Sequence, residues 1–392
     1  MASPIALVKP ELLRWARTSA GLTTEVAARK AVVKAEVLAG WENGSSAPTI
    51  PQLRKLANIY KRPLAVFFLP APPRGWDVMR DERRVDPGAT SNESPALLLA
   101  IRETWERRDV VVDLSDELEI KSALDVTAHL EDDPELVAAD LRDALDVSEA
   151  EQHSWPTPDS AFGKWRFAVE RKSILVFSFP SVDVHEIRGF SISQPPIWAI
   201  AINSSDQPAA KTFTLMHELS HLALRSGAVM CEPIDHAATQ VETFCNHVAG
   251  ALLVPRDALM RDTDVRQASA SRVWSDQELT RLSRRFLVSR EVVLRRLLIL
   301  GKTSTAEYQA RRTVFESEFL QWAAKRKRTQ QERDGGPGYL ETRISQMGRM
   351  YAGTVLDAYS RGSITLSDTC GYLGVKTNHI PKIQEDPTLR AG

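Results

Sequence analysis

Two histidines four residues apart, with a glutamate directly after the first, are the most chemically telling residues of this chain. They lie in Thr212-Phe-Thr-Leu-Met-His217-Glu218-Leu-Ser-His221. In an α-helix, positions i and i+4 stack on one face, so both imidazoles can converge on a single ion. The HExxH spacing suits one Zn2+, with another divalent metal as the alternative. Glu218, one residue past the first ligand, can take a proton from a water activated by the metal and so act as general base. Phe213, Met216, Leu219, Leu222 and Leu224 give the helix apolar faces, so it can be buried while its ligands face a cleft.

A catalytic zinc keeps three protein ligands and leaves the fourth position for water. Further along, the stretch from Gln240 to Pro255 reads as an amphipathic helix ended by a proline, and Glu242 in it offers a carboxylate. Asn246, one turn on along the same face, would accept a hydrogen bond from the His217 ring nitrogen that does not bind metal. His236 and His247 compete as third ligand. The first falls in a loop; the second points roughly 100° away from the Glu242/Asn246 face. Glu242 is therefore favoured. Cys245, among apolar neighbours, reads as a small buried hydrophobe.

The elements that must hold these residues are legible in pattern. A helix around Gly163–Arg171 precedes the β-branched and aromatic run Ser173–Phe179. Gly189–Ser193 and Ile197–Ile202 read as two further strands, the second apolar almost throughout, as a buried strand would be. Pro208 sits where it can occupy the first turn of the ligand-bearing helix. From about 276 onward the chain reads as helical, with a break at Asp334-Gly-Gly-Pro-Gly. Two stretches there, from Leu279 and from Ile364, have a helix-turn-helix rhythm that does not by itself make them DNA readers.

Upstream, residues 10–69 read as short helices with tight turns, including Thr23-Thr24 as a hydroxyl cap and a helix from Ile50 to Tyr60. Residues 1–70 hold ten basic and four acidic side chains, a basic footprint suited to phosphate, whereas the whole chain has a net charge of −1. Residues 70–95 are a linker by composition, rich in proline and turn residues. Four parts are expected: 1–70, a linker and helical connector over 71–150, a metal-bearing domain over 151–310, and a helical region of unassigned role over 311–392. The fold class is mainly α with a small β-sheet. Three scattered cysteines fit a reducing cytoplasm, and no apolar run is long enough to span a bilayer.

The linked motifs Ile197–Asn203, Phe213–His221, Glu242-Thr-Phe-Cys-Asn246 and Ala251-Leu-Leu-Val-Pro255 resemble the ImmA/IrrE-type metallopeptidases over about residues 155–310. The resemblance implies a zinc ion held by His217, His221 and Glu242, with Glu218 catalytic. It also implies a protein substrate, a helix-turn-helix repressor whose cleavage switches genes on. Cys245 stands where that family often has alanine.

Residues 10–69 resemble the Xre-type helix-turn-helix domain of phage repressors, on Trp41-Glu42-Asn43-Gly44, Pro48-Thr49, Leu53–Ala57 and Pro63–Phe68. That alignment makes Lys34–Gly40 the recognition helix. Its DNA-facing positions would be Thr24, Lys34, Ala35 and Glu36. They depart from the pattern: Thr24 replaces a common glutamine, Val32 replaces the usual turn glycine, and no Arg, Asn or Gln is there for bidentate base contact.

Two functions are expected from this. The first is a regulatory zinc endopeptidase acting on a repressor, with Gly189–Ser193 pairing with an extended peptide, and with Tyr308, Arg188 and His236 as candidate transition-state donors. The alternative is a DNA-binding regulator or antitoxin-like partner with a structural or latent peptidase domain. DNA would bind through residues 10–69, a neighbouring protein could be the partner, and a homodimer is possible.

Overall fold

A computed structural model describes residues 4–73, 93–225, 240–332, 338–386 and 389. Contacts divide the chain into two compact units, Met1–Trp105 and Glu106–Gly392. The expected linker falls largely outside the described residues, as do His236 and Cys231.

The first unit is built from α1 (Pro10–Ser19), α2 (Thr24–Ala31), α3 (Ala35–Asn43), α4 (Ile50–Tyr60), a 3-10 turn (Leu64–Phe68) and the start of α5 (Pro95–Leu118). The Thr23 hydroxyl accepts from the Val26 N–H to open α2, and a Thr49/Gln52 capping box with proline in the first turn opens α4. Leu13, Ala16, Leu38, Trp41, Leu53 and Tyr60 meet in one core. Glu42, nearly buried, receives a two-pronged grip from Arg17, Nε to Oε1 at 2.7 Å and Nη2 to Oε2 at 2.9 Å, which locks α1 to α3. Val32 ends α2 in the left-handed conformation, φ 58°, with 78% of its surface exposed. A β-branched side chain is costly there, and nothing is gained from burying it.

The second unit continues with α6 (Pro134–Ala144), α7 (Glu149–Ser154), α8 (Pro158–Glu170), β1 (Ile174–Phe179), β2 (Gly189–Ile192) and β3 (Trp198–Asn203). There follow α9 (Pro208–Ala223), α10 (Gln240–Leu253), α11 (Arg256–Met260), α12 (Thr263–Gln267), α13 (Asp276–Phe286), α14 (Arg290–Ile299), α15 (Thr305–Glu332), α16 (Tyr339–Met347), α17 (Arg349–Arg361), α18 (Leu366–Leu373) and α19 (Ile380–Gln384). The mainly helical class with a small sheet is what the sequence predicts. The sheet order is β1-β3-β2, with β1 parallel and β2 antiparallel to β3. Every strand residue is buried. α8 starts earlier than the sequence pattern suggests, because a Thr157/Ser160 capping box and Pro158 set its first turn.

α9 and α10 pack against each other, α9 also on β2, β3 and α8, and α10 also on α6 and α14. The α6–α10–α14 contact is tied by charge. Glu135 accepts from Arg296 Nη1 and Nη2 at 2.6 and 2.8 Å and lies 2.8 Å from His247 Nε2. Arg296 is fully buried and also donates to the Val254 carbonyl. Burial would raise the Glu135 carboxyl, but His247 and Arg296 outweigh it and hold it at about 2.

The C-terminal helices belong to this unit. α16 and α17 pack on β1, and the corner between them sits on a buried pair from α8. Arg166 donates to the Ser345 carbonyl at 2.6 Å, and Glu170 accepts from the Arg349 N–H at 3.1 Å. Gly348, at φ 80°, lets the backbone pass that close; a Cβ there would collide with Glu170 and with the Val176 carbonyl.

Two outcomes are expected. Val32→Gly should stabilise the N-terminal unit by roughly 1 kcal/mol, read as slower amide exchange in α2–α4. Glu135→Ala, by stranding the buried Arg296 charge, should cost about 3 kcal/mol in urea unfolding. The Glu135 contribution is present above its ordinary value of 4.5 and is lost as pH falls toward about 2, so Glu135→Ala should flatten acid unfolding in that window.

Candidate metal centre

The ligand-bearing helix begins where the sequence places it, with Pro208 in its first turn. Asp206, buried just before it, accepts from the Gln207 N–H at 2.8 Å and pairs with Arg188 at 2.9 Å. Gly189, next to Arg188, opens β2. A Cβ at Gly189 would lie 2.6 Å from Thr214 Cγ2 and 3.0 Å from the Ala201 carbonyl. The edge strand therefore rests directly on α9, one turn before His217, and only glycine allows that approach.

His217, His221 and Glu242 come together, the one such group of metal-binding side chains among the described residues. The two Nε2 atoms are 3.2 Å apart. Glu242 Oε2 lies 3.3 Å from His217 Nε2, and its Oε1 lies 3.3 Å from His221 Nε2. A tetrahedral zinc with bonds of about 2.0–2.1 Å separates its ligand atoms by about 3.3–3.4 Å, so the donor spacing fits such an ion. Burial would raise the Glu242 carboxyl, but hydrogen bonds and charge from both histidines hold it at about 2. Burial would lower His221; the Glu242 hydrogen bond and the charges of Glu218 and Glu242 outweigh it and raise it.

Glu218 is fully buried, and neither of its oxygens has a hydrogen-bond partner. Such a carboxylate is costly unless something at the site engages it. His217 Nδ1 is likewise buried without a partner. Phe213 lies beside the His217 ring, centroids 6.4 Å apart and planes at 27°.

The remaining predicted residues separate. Asn246 is buried on α10, but it makes no hydrogen bond to His217. Its side chain is shorter than that of Glu242 and starts one turn further along. His247 is committed to Glu135 and stands outside the cluster. Cys245 is buried, and burial, with the charges of Glu242 and Glu218, pushes its thiol up. Tyr308 donates to Glu291 at 3.4 Å, and Arg188 donates to Asp206 from one guanidinium nitrogen. In the N-terminal unit Thr24 and Ala35 are half-buried, whereas Lys34 and Glu36 are exposed beside Val37 and Ala39. Gly189 and Glu135 were missed by motif reading. A lone strand glycine and a helix-start glutamate gave no signal that either touches the site or its scaffold.

Residues 169–298 match the family described as the IrrE N-terminal-like domain of peptidase M78, and residues 13–67 match a helix-turn-helix family. The two matches fall on separate stretches of one chain, the helix-turn-helix stretch first. No curated protein and no solved structure matches it.

If the cluster holds a metal, the wild-type protein should carry about one zinc by elemental analysis. Glu242→Ala should lower zinc affinity by more than the roughly 10–100-fold typical of outer-shell changes. Full zinc retention in that variant would remove Glu242 from the ligand set.

Proposed function

We propose that this protein is a zinc-dependent regulatory endopeptidase that cleaves a protein substrate, a helix-turn-helix repressor. The observation that carries this reading is Glu218, a fully buried carboxylate with two unengaged oxygens directly beside the His217/His221/Glu242 donors. The match to the M78 family over residues 169–298 supports it.

His217, His221 and Glu242 would hold the ion, with Phe213 beside the His217 imidazole. A bound zinc supplies Lewis acidity for attack on a peptide carbonyl. Glu218 takes the proton from the attacking water on a carboxylate oxygen and returns it to the amide nitrogen as the C–N bond breaks. Burial keeps bulk water from competing for that carboxylate. The substrate strand would lie along β2, which the order β1-β3-β2 leaves at the sheet's edge, and main-chain hydrogen bonds would align it over α9. The N-terminal domain would bring the substrate or a promoter to the peptidase.

A second reading, a DNA-binding or antitoxin-like regulator with a latent peptidase, is favoured by the helix-turn-helix match at 13–67. Glu218→Gln separates the two. It should retain zinc yet lose about 10²–10⁴-fold in the rate of repressor cleavage followed by mass spectrometry. A variant that regulates a reporter as the wild type does, with no cleavage by either protein, would favour the latent reading.

A further inference from the structure

Several arginines of the second unit each meet a carboxylate: Arg296 meets Glu135, Arg166 meets Glu170 and Arg272 meets Glu278. Arg188 and Arg326 are arranged differently, because both converge on one residue, Asp206. Arg188 Nη1 donates to Asp206 Oδ2 at 2.9 Å. Arg326 Nη1 donates to the Ser205 and Asp206 carbonyls at 3.1 and 3.3 Å. The other Asp206 carboxylate oxygen accepts from the Gln207 N–H. Two guanidinium groups thus stand around a single carboxylate, and among the described residues their other N–H groups have no hydrogen-bond partner.

Both cations are held flat against aromatic rings of α15. Arg188 lies over Phe319 at 5.5 Å and Arg326 over Trp322 at 5.1 Å. The two rings are themselves stacked, centroids 5.9 Å apart and planes at 29°. A guanidinium fixed in this way loses less freedom when a ligand arrives, and its N–H pairs match a carboxylate. The Arg188 side chain keeps 37% of its surface exposed, so a ligand can reach it. Neighbouring acids are engaged: Glu318 pairs with Arg290, Asp183 accepts from the His185 N–H, and Asp159 lies 3.9 Å from Lys211.

The position of the pair relates it to the metal cluster. Arg188 directly precedes Gly189, where β2 begins against Thr214 of α9. A peptide running along β2 would therefore pass Arg188. From Pro208 to His217 the helix rises about 14 Å. An extended strand covers that length in about four residues.

We propose that Arg188 and Arg326 form a carboxylate-binding subsite that anchors a peptide about four residues from the bond facing the His217/His221/Glu242 cluster. The inference rests on the peptidase reading and deepens it: the substrate is a peptide with a carboxylate at that distance, on an acidic side chain or at a chain terminus.

The test measures binding rather than turnover, by calorimetry of the full-length, zinc-loaded protein with peptide hydroxamates, whose hydroxamate group chelates zinc. Two series extend from either side of the hydroxamate, each with one Glu moved along an otherwise neutral, terminally blocked peptide, beside matched Gln peptides. A further pair carries no Glu and ends in a free or an amidated carboxyl terminus about four residues from the hydroxamate. A carboxylate at that distance should tighten binding more than about tenfold over its neutral match. Preference for the Glu peptide assigns the subsite to a side chain, and preference for the free carboxyl terminus assigns it to a chain end. Arg326→Ala, which breaks no ion pair, and Arg188→Gln, which can still donate to Asp206, should each reduce the difference to less than about threefold. Should Arg188→Gln unfold by circular dichroism, Arg326→Ala decides alone. Hydroxamates that bind with no carboxylate preference, or a preference unchanged in the variants, would overturn the subsite and leave the peptidase reading standing. No hydroxamate binding at all would overturn both.

Discussion

The structure depends on the close approach of α9 and α10, which brings two imidazole nitrogens and a carboxylate within 3.3 Å of one another while Glu218 is buried beside them. Four polar groups in so little space, largely removed from water, repel unless a proton or a cation lies among them. The surrounding fold has to hold that tension. Leu215, Leu219 and Leu222 on α9 and Val248, Ala249 and Leu252 on α10 join one continuous core, and the Glu135–His247–Arg296 tie fixes α10 against α6 and α14. The apolar contacts supply the adhesion, and the ion cluster fixes the register.

The sheet solves a different problem. Only three strands are present among the described residues, too few to be stable without cover on their faces. β3 is hydrogen-bonded on both sides, and β1 is packed by helices from both before and after it in sequence. That leaves β2 at the other margin, seated on α9 through Gly189. The same strand closes the sheet and rests on the helix that carries His217 and His221.

Much of the site was legible because it is local. The spacing of His217, Glu218 and His221 is a statement about one helix, and Pro208 marked where that helix starts. Glu242 could be chosen over His247 because a single helical step of about 100° turns a side chain away from its neighbours' face; the structure gives the histidine another partner, Glu135. What was not legible is long-range. The pairing of Arg296 with Glu135 spans most of the second unit, and no periodicity announces it. The same holds for residues 311–392: their helices could be read from pattern, but their docking through Arg166, Glu170 and Gly348 depends on a backbone approach that composition does not encode. Asn246 shows the limit from the other side, since sharing a helical face with a ligand did not put it within hydrogen-bond reach.

The junction at Gly348 has a consequence for how the chain is made. On a ribosome, synthesis is vectorial, and domains tend to form as their last contact emerges. The N-terminal unit has all its helices once α5 has left the exit tunnel. The second unit cannot cover β1, or satisfy Arg166 with the Ser345 carbonyl, until the chain has been translated past Arg349. The order of translation therefore gives the N-terminal unit a period of folded existence before the second unit, with its His217/His221/Glu242 cluster, is complete.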